Sequence, residues 1–496
     1  MPVSSKSRYI PLPLDTPTPT LEELKKPNST TRQGIASALI RDVQLVLSAA
    51  RSSPVNHHDT VYTGLLGIAF MGHHLAKMPG LSLHSRLLSS SSLVTTADTI
   101  LARVLRRNPT MINLNPQVIY SPNRLSFIES RIGVATLILS WGYSSSHHTI
   151  SGNWQAAKDY LDYALQETLT QVDDGFEAAA ASDDDQGDSQ CEVLYGRAGL
   201  LYALLYLRNS VRAQPREERE ELESELEALL SDDVLTILVD SIIERGKFGA
   251  RVLSSEPGVL QDAEIVDLPP LMWKWHGRRY LGGAHGVAGI LHILLLCPKS
   301  IMDKHMPIIE DMVSWLVDCQ QDDGNWPTKC PTPGAVTSHN NLVQWCHGAP
   351  GILILLSTAL RVISHQSKTP DNEALVRRLK SSLLRGADVV YQQGLLRKGV
   401  GLCHGVSGNV YALLAASDVD HANCGDLFLK AVHLAGLATF REDLTISKEM
   451  GTPDHPWSLY EGLAGACCVW AEILSRLNSA TFGRTASGFP AFDDLL

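Results

Sequence analysis

Gly348-Ala349-Pro350-Gly351 runs straight into Ile352-Leu353-Ile354-Leu355-Leu356-Ser357-Thr358-Ala359-Leu360, so two glycines three apart open a stretch without a single charge. A surface helix alternates apolar and polar faces, and a run apolar on all sides reads instead as a helix buried all round. The same Gly-x-x-Gly signature precedes apolar runs at Gly64–Gly67, Gly196–Gly199, Gly286–Gly289, Gly405–Gly408 and Gly462–Gly465, with a degenerate copy at Ser130–Gly133. The second glycines fall at 67, 133, 199, 289, 351, 408 and 465, a repeat step of 57 to 66 residues with one long step of 90. Such a period marks a repeat architecture. Amphipathic segments such as Met306 to Cys319 and Asp371 to Tyr391 lie between the runs, so each repeat reads as one outer and one inner helix. Seven pairs predict an all-α fold, an α/α toroid, because closing the ring buries the inner helices without capping repeats.

The rest of the chain fits one such domain over 1–496. An insertion over 215–270 accounts for the long step, and mobile insertions are also expected at 144–153 and in the acidic run 173–188. Ser89 to Ser92 reads as a further excursion. With 42 Lys+Arg against 53 Asp+Glu, the net charge of −11 argues against nucleic-acid binding or a polybasic membrane anchor. At 44% hydrophobic and 19% charged, the composition is globular rather than disordered. Its apolar runs are far shorter than the ~20 residues of a membrane span, and no apolar leader opens the chain. The expected placement is cytoplasmic, with peripheral membrane association left open. Nine widely spaced cysteines do not read as a disulfide framework.

Two copies of the repeat carry Cys-His directly before the first glycine, Cys346-His347-Gly348 and Cys403-His404-Gly405, 57 residues apart in consecutive repeats. Thiolate and imidazole from neighbouring inner helices can therefore converge, and Cys and neutral His are preferred ligands of Zn²⁺. A single such cysteine would read as a small buried hydrophobe; the matched pair favours metal. Spacing alone leaves open which of the four groups bind. His285 occupies the matched place one repeat earlier, on the same rim, where it suits general acid–base work as well as the plainer role of a satisfied core histidine. Glu192, four residues before Gly196, is a candidate to orient it. Lys398, in Arg397-Lys398-Gly399, suits an anionic ligand, against the plainer reading of a solvated lysine. The remaining cysteines, at 191, 297, 319, 330, 424, 467 and 468, have no histidine at metal spacing and read as structural.

These motifs, with Leu194-Tyr-Gly-Arg-Ala-Gly199, Tyr280-Leu-Gly-Gly-Ala-His-Gly286, Ser458-Leu-Tyr-Glu-Gly462 and Phe489-Pro-Ala-Phe492, resemble the eukaryotic LanC-like proteins, relatives of the bacterial lanthionine cyclases. The resemblance covers nearly the whole chain. It implies a double ring of seven inner and seven outer helices with one zinc per chain, held by Cys346, Cys403 and His404, while His347 supports the site without ligating. It also implies His285 as general acid/base assisted by Glu192, and glutathione contacts at Lys398 and Arg8. The implied chemistry is addition of the thiol of glutathione, or another thiol, to dehydroalanine or dehydrobutyrine in a protein or peptide, with His285 protonating the α-carbon. Gly451 departs from the family, since animal members tend to carry there an Arg able to hold a glutathione carboxylate. Two rival readings are a non-catalytic glutathione- and zinc-binding signalling scaffold and a lanthionine cyclase acting on a dedicated peptide. A glycosidase would need two spaced carboxyl groups, and the rim motifs offer Cys and His instead.

Overall fold

The computed structural model describes residues 7–13, 16–26, 28–55, 59–112, 115–143, 145–173, 190–256, 268–331, 341–364, 369–420, 423–479 and 488–495. Along these residues outer and inner helices alternate: α1 (Thr30–Ser52), α2 (Leu65–Ala76), α3 (Ser90–Arg107), α4 (Arg131–Gly142), α5 (Trp154–Asp173), α6 (Arg197–Arg212), α7 (Asp232–Ser254), α8 (Val287–Leu295), α9 (Met306–Asp318), α10 (Ala349–Ile363), α11 (Pro370–Gln393), α12 (Val406–Ser417), α13 (Cys424–Ala438) and α14 (Leu463–Asn478). The even-numbered helices are the apolar runs, and nearly every residue of α10, α12 and α14 is buried. Neighbouring inner helices pack from α4 through α6, α8, α10 and α12 to α14, and α14 returns to α2 and to the outer α1. Between α2 and α4 the contact is His73 stacked on Trp141 with ring centroids 3.7 Å apart. The ring is therefore closed. No helix among the described residues is long and apolar enough to cross a membrane.

The glycine pairs have a steric cause. A Cβ on Gly133 would stand 2.0 Å from the carbonyl of Phe127, and one on Gly408 2.0 Å from that of Leu402, because each inner helix starts by folding over the backbone six residues upstream. Only hydrogen fits there. At the degenerate copy, Ser130 has extended backbone and its hydroxyl accepts the Ile132 N–H at 3.1 Å, so a side-chain cap occupies the place that glycine fills elsewhere.

The segments entering the inner helices are laced by backbone hydrogen bonds from one repeat to the next. Tyr62 N–H donates to Ile128 (3.1 Å), Tyr460 N–H to Tyr62 (3.1 Å), Cys403 N–H to Tyr460 (2.8 Å), and Cys346 N–H to Cys403 (3.2 Å). This places the residues before each first glycine on one rim. The C-terminal segment 488–495 fills the interior from the opposite end, from Leu495 beside Asn209 near the end of α6 up to Phe489 beneath the rim residues Trp345 and Tyr460. Phe489 and Phe492 are buried against Trp345 and Tyr411, while Asp494 accepts a hydrogen bond from Tyr202 (2.7 Å).

Some expected excursions are built into the rings. Ser89 is the cap of α3, accepting the Ser92 N–H, rather than part of a loop. Within 144–153 a short helix forms at His148–Ser151. Within 215–270 two short helices, Arg216–Glu225 and Glu227–Leu230, lead into α7, which is the outer helix of its repeat and packs on α6. Of 173–188, only Asp173, the last residue of α5, lies within the described residues.

Candidate metal centre

Aligned on the first glycine, the residues one position earlier are Thr63, Glu129, Tyr195, His285, His347, His404 and Glu461, and those two positions earlier include Tyr62, Cys346, Cys403 and Tyr460. Because the lacing holds these segments side by side, equivalent positions become neighbours in space. The sulfurs of Cys346 and Cys403 and a ring nitrogen of His404 lie within 4.8 Å of one another, and both cysteines are buried. His347 is not part of that group; its Nδ1 has no hydrogen-bond partner and its ring faces Tyr280, with centroids 5.3 Å apart. Burial, opposed by the charge of Cys346, lowers the His347 pKa.

The two sulfurs behave as a pair. The hydrogen bond with Cys403 pulls the Cys346 thiol well below its ordinary value against burial, while burial and that same bond push Cys403 well above. The two buried sulfurs are thus each other's hydrogen-bond partners, close enough for one cation to bind both. Two thiolates and an imidazole on one open rim fit zinc with a free fourth position. Gln344 Nε2 donates to Cys346 Sγ at 3.2 Å, and the Tyr62 hydroxyl is hydrogen-bonded to Cys403. The other thiols differ: burial pushes Cys297, Cys319, Cys467 and Cys468 up, and the half-buried Cys330 up to about 11, and among the described residues none of these joins a group of three potential metal ligands. The Cys424 side chain lies outside the described set.

His285 Nδ1 lies 3.0 Å from Glu192 Oε2. Glu192 is fixed in turn, accepting the N–H groups of Leu194 (2.7 Å) and Tyr195 (2.6 Å). The imidazole is clamped flat against Trp275, with ring centroids 3.7 Å apart and planes 7° from parallel. Trp275 begins a tight turn through His276 and Gly277, both at positive φ, closed by paired bonds with Arg278. Nδ1 is the nitrogen engaged by Glu192, which leaves Nε2 outside that contact.

Lys398 is exposed, and its charge favours the thiolate of Cys403. Arg8 is brought beside the same loop by backbone pairing, since Arg397 N–H donates to Arg8 (3.1 Å) and Ile10 N–H to Leu395 (2.7 Å). Gly451 N–H donates to the Arg397 carbonyl (2.6 Å), and a Cβ there would make only ordinary contacts. The absent side chain leaves Gly451 lining a cavity of about 470 Å³ with Gly399, Met450 and Trp457.

The sequence reading passed over Tyr62, Gln344, Trp275 and Glu129. Glu129 is pushed up to about 7 by burial and by the charge of Glu461, against the pull of Arg124 and Thr60. Reading all seven copies in register, rather than those bearing Cys and His, would have found Tyr62 and Glu129.

Residues 55–483 match the family described as lanthionine synthetase C-like protein. The chain is 30% identical over 287 residues to glutathione S-transferase LANCL1 of Danio rerio, covering 57% of this chain and 59% of that protein. It is 28% identical over 436 residues to LanC-like protein GCL1 of Arabidopsis thaliana, covering 87% of this chain and 82% of the relative. Among solved structures, nisin cyclase superposes with a TM-score of 0.52 over 92% of this chain and 98% of its own, at 16% identity, a likeness of fold. The closed double ring, the rim motifs and the match over most of the length together place this chain in the lanthionine synthetase C-like family.

Proposed function

We propose that this protein adds the thiol of glutathione to dehydroalanine or dehydrobutyrine residues of a protein or peptide, with one zinc held by Cys346, Cys403 and His404. The observation that carries the reading is the convergence of these three groups on a rim that also presents His285, fixed by Glu192. Zinc bound there would supply one thing, a substrate thiol held as thiolate at neutral pH. The chain's own residues do the rest. Lys398 and Arg8 attract the carboxylates of the tripeptide. The sulfur, having lost its proton to solvent, forms its bond to the β-carbon of the acceptor, the double-bond electrons move toward the carbonyl, and the α-carbon takes a proton from the His285 imidazolium at Nε2, which solvent then restores. Glu192 holds the ring by its other nitrogen and stabilises the charged imidazolium. Trp275 denies the ring any other orientation.

The test is to incubate zinc-loaded protein with glutathione and a dehydroalanine peptide and to weigh the peptide. Gain of one glutathione mass, lost in His285→Asn with zinc retained, supports the reading. Metal and thiol binding with no adduct would leave the protein a binding scaffold.

A further inference from the structure

A site that holds two cysteine sulfurs and takes in a third from the substrate faces a problem of selection. All three are anionic sulfurs beside one cation, and an acceptor attacked by a protein cysteine would end as a dead covalent adduct. The two resident sulfurs share a property: each is buried and each has its own hydrogen-bond donor.

Both donors are fixed by the backbone that fixes the cysteines. Gln344 and His347 exchange backbone bonds, Gln344 N–H to His347 at 3.1 Å and His347 N–H to Gln344 at 3.0 Å, closing a turn around Cys346. That turn sets the Gln344 amide 3.2 Å from Cys346 Sγ. A thiolate can only accept, so it takes the NH₂ of the amide. On the other side Tyr62 is stacked on Tyr460 with centroids 4.9 Å apart, its carbonyl takes the Tyr460 N–H, and the Tyr460 carbonyl takes the Cys403 N–H. The phenol and the sulfur it meets are therefore held in one short hydrogen-bonded chain. A hydrogen bond draws electron density off sulfur and blocks one lone pair, so a capped thiolate is the poorer nucleophile, and partners of metal ligands tune them in this way.

We propose that Tyr62 and Gln344 are positioning residues that cap the two resident thiolates and leave the substrate sulfur as the one free to react. This rests on the zinc and thiol reading above. It gives the two donors separate targets, Tyr62 for Cys403 and Gln344 for Cys346.

The experiment uses the full chain and its Tyr62→Phe and Gln344→Leu variants. Loaded with cobalt(II), each variant is expected to show its near-ultraviolet sulfur-to-metal absorption at longer wavelength than the parent, with the shifts adding in the double variant. Loaded with zinc and treated with iodoacetamide, which forms a sulfur–carbon bond as iodide leaves, Tyr62→Phe is expected to label Cys403 about tenfold faster and Gln344→Leu to label Cys346 about tenfold faster. Peptide mass mapping reads both sites. Unmoved absorption, or labelling that rises equally at both cysteines or at neither, overturns the capping role while leaving the metal site standing. A parent protein that takes up neither metal overturns the metal reading beneath it.

Discussion

At the rim where the inner helices start, the His285 imidazole sits 3.0 Å from Glu192 and is 14% exposed, whereas its carboxylate partner is 2% exposed. Toward the other end of the same ring, His292 lies 3.6 Å from Asp493 and His74 3.7 Å from Asp494, the two imidazoles being 0% and 3% exposed. The residue types match, and the contacts are similar. What differs is what covers them: the C-terminal segment buries the pairs at one end, with His292 also bonded to the Phe492 carbonyl at 3.2 Å, whereas at the rim Trp275 covers one face of the His285 ring and leaves it part-exposed. On the proposed function the histidine–carboxylate pair serves chemistry at the rim and packing at the plugged end, so a change at each should damage different things.

The sharpest break is at the metal ligands. Cys403→Ala is expected to lose zinc and all thioether formation while keeping its helical circular dichroism, because the inner ring is held by apolar packing. A zinc content still near one per chain after dialysis would contradict this. His285→Asn should follow, losing about 10²- to 10⁴-fold in turnover with zinc content and thermal midpoint unchanged. The plugged end should show the reverse. Phe492→Ala should cost about 3–5 kcal/mol in urea unfolding, and His292→Asn about 1–3 kcal/mol, with turnover per folded molecule close to the parent. If His292→Asn instead abolishes turnover without loss of stability, the two ends are not separate.

The rings were legible because their cause is local. Gly408 and its six counterparts mark each place where a helix must fold over its own upstream carbonyl, and that steric demand is written directly into the sequence. Cys346, Cys403 and His404 were legible as candidates for the same reason, being chemical residues at a repeat-locked position. Tyr62 and Trp275 were not. Tyr62 meets Cys403 only because the ring closes α14 onto α2, bringing together residues separated by most of the chain. Trp275 reaches His285 through a turn whose positive φ at His276, a residue that rarely adopts it, no local pattern announces. Sequence also misjudged 215–270, since a charged stretch next to a long repeat step looked like pure insertion although α7 within it buries Leu235, Leu238 and Ile242.

The smallest expected effect bears on what the open rim costs. Glu129, in register with His285, is held near 7 against an ordinary 4.5, chiefly by burial and then by Glu461. A raised carboxyl value means that the folded protein resists ionisation that the unfolded chain accepts, so stability falls as pH rises from about 4.5 and levels off above about 7. Glu129→Gln removes this dependence. The variant should therefore be more stable than the parent at pH 8, by roughly 1 kcal/mol once partial exposure is allowed for, and equal to it at pH 4.5. At the plugged end the sign is opposite. Burial alone would raise Asp494, but His74, Tyr202 and the Ala491 amide hold it below its ordinary 3.8, so its contribution is present above that value and lost as pH falls through it. Urea midpoints across pH 3 to 8 should thus place Glu129→Gln above the parent toward pH 8 and Asp494→Asn below the parent from about pH 4 upward, with both gaps narrowing as pH falls. A Glu129→Gln curve parallel to the parent's from pH 4.5 to 8 would show that the rim carries no such cost, and would remove the electrostatic half of the contrast between the two ends.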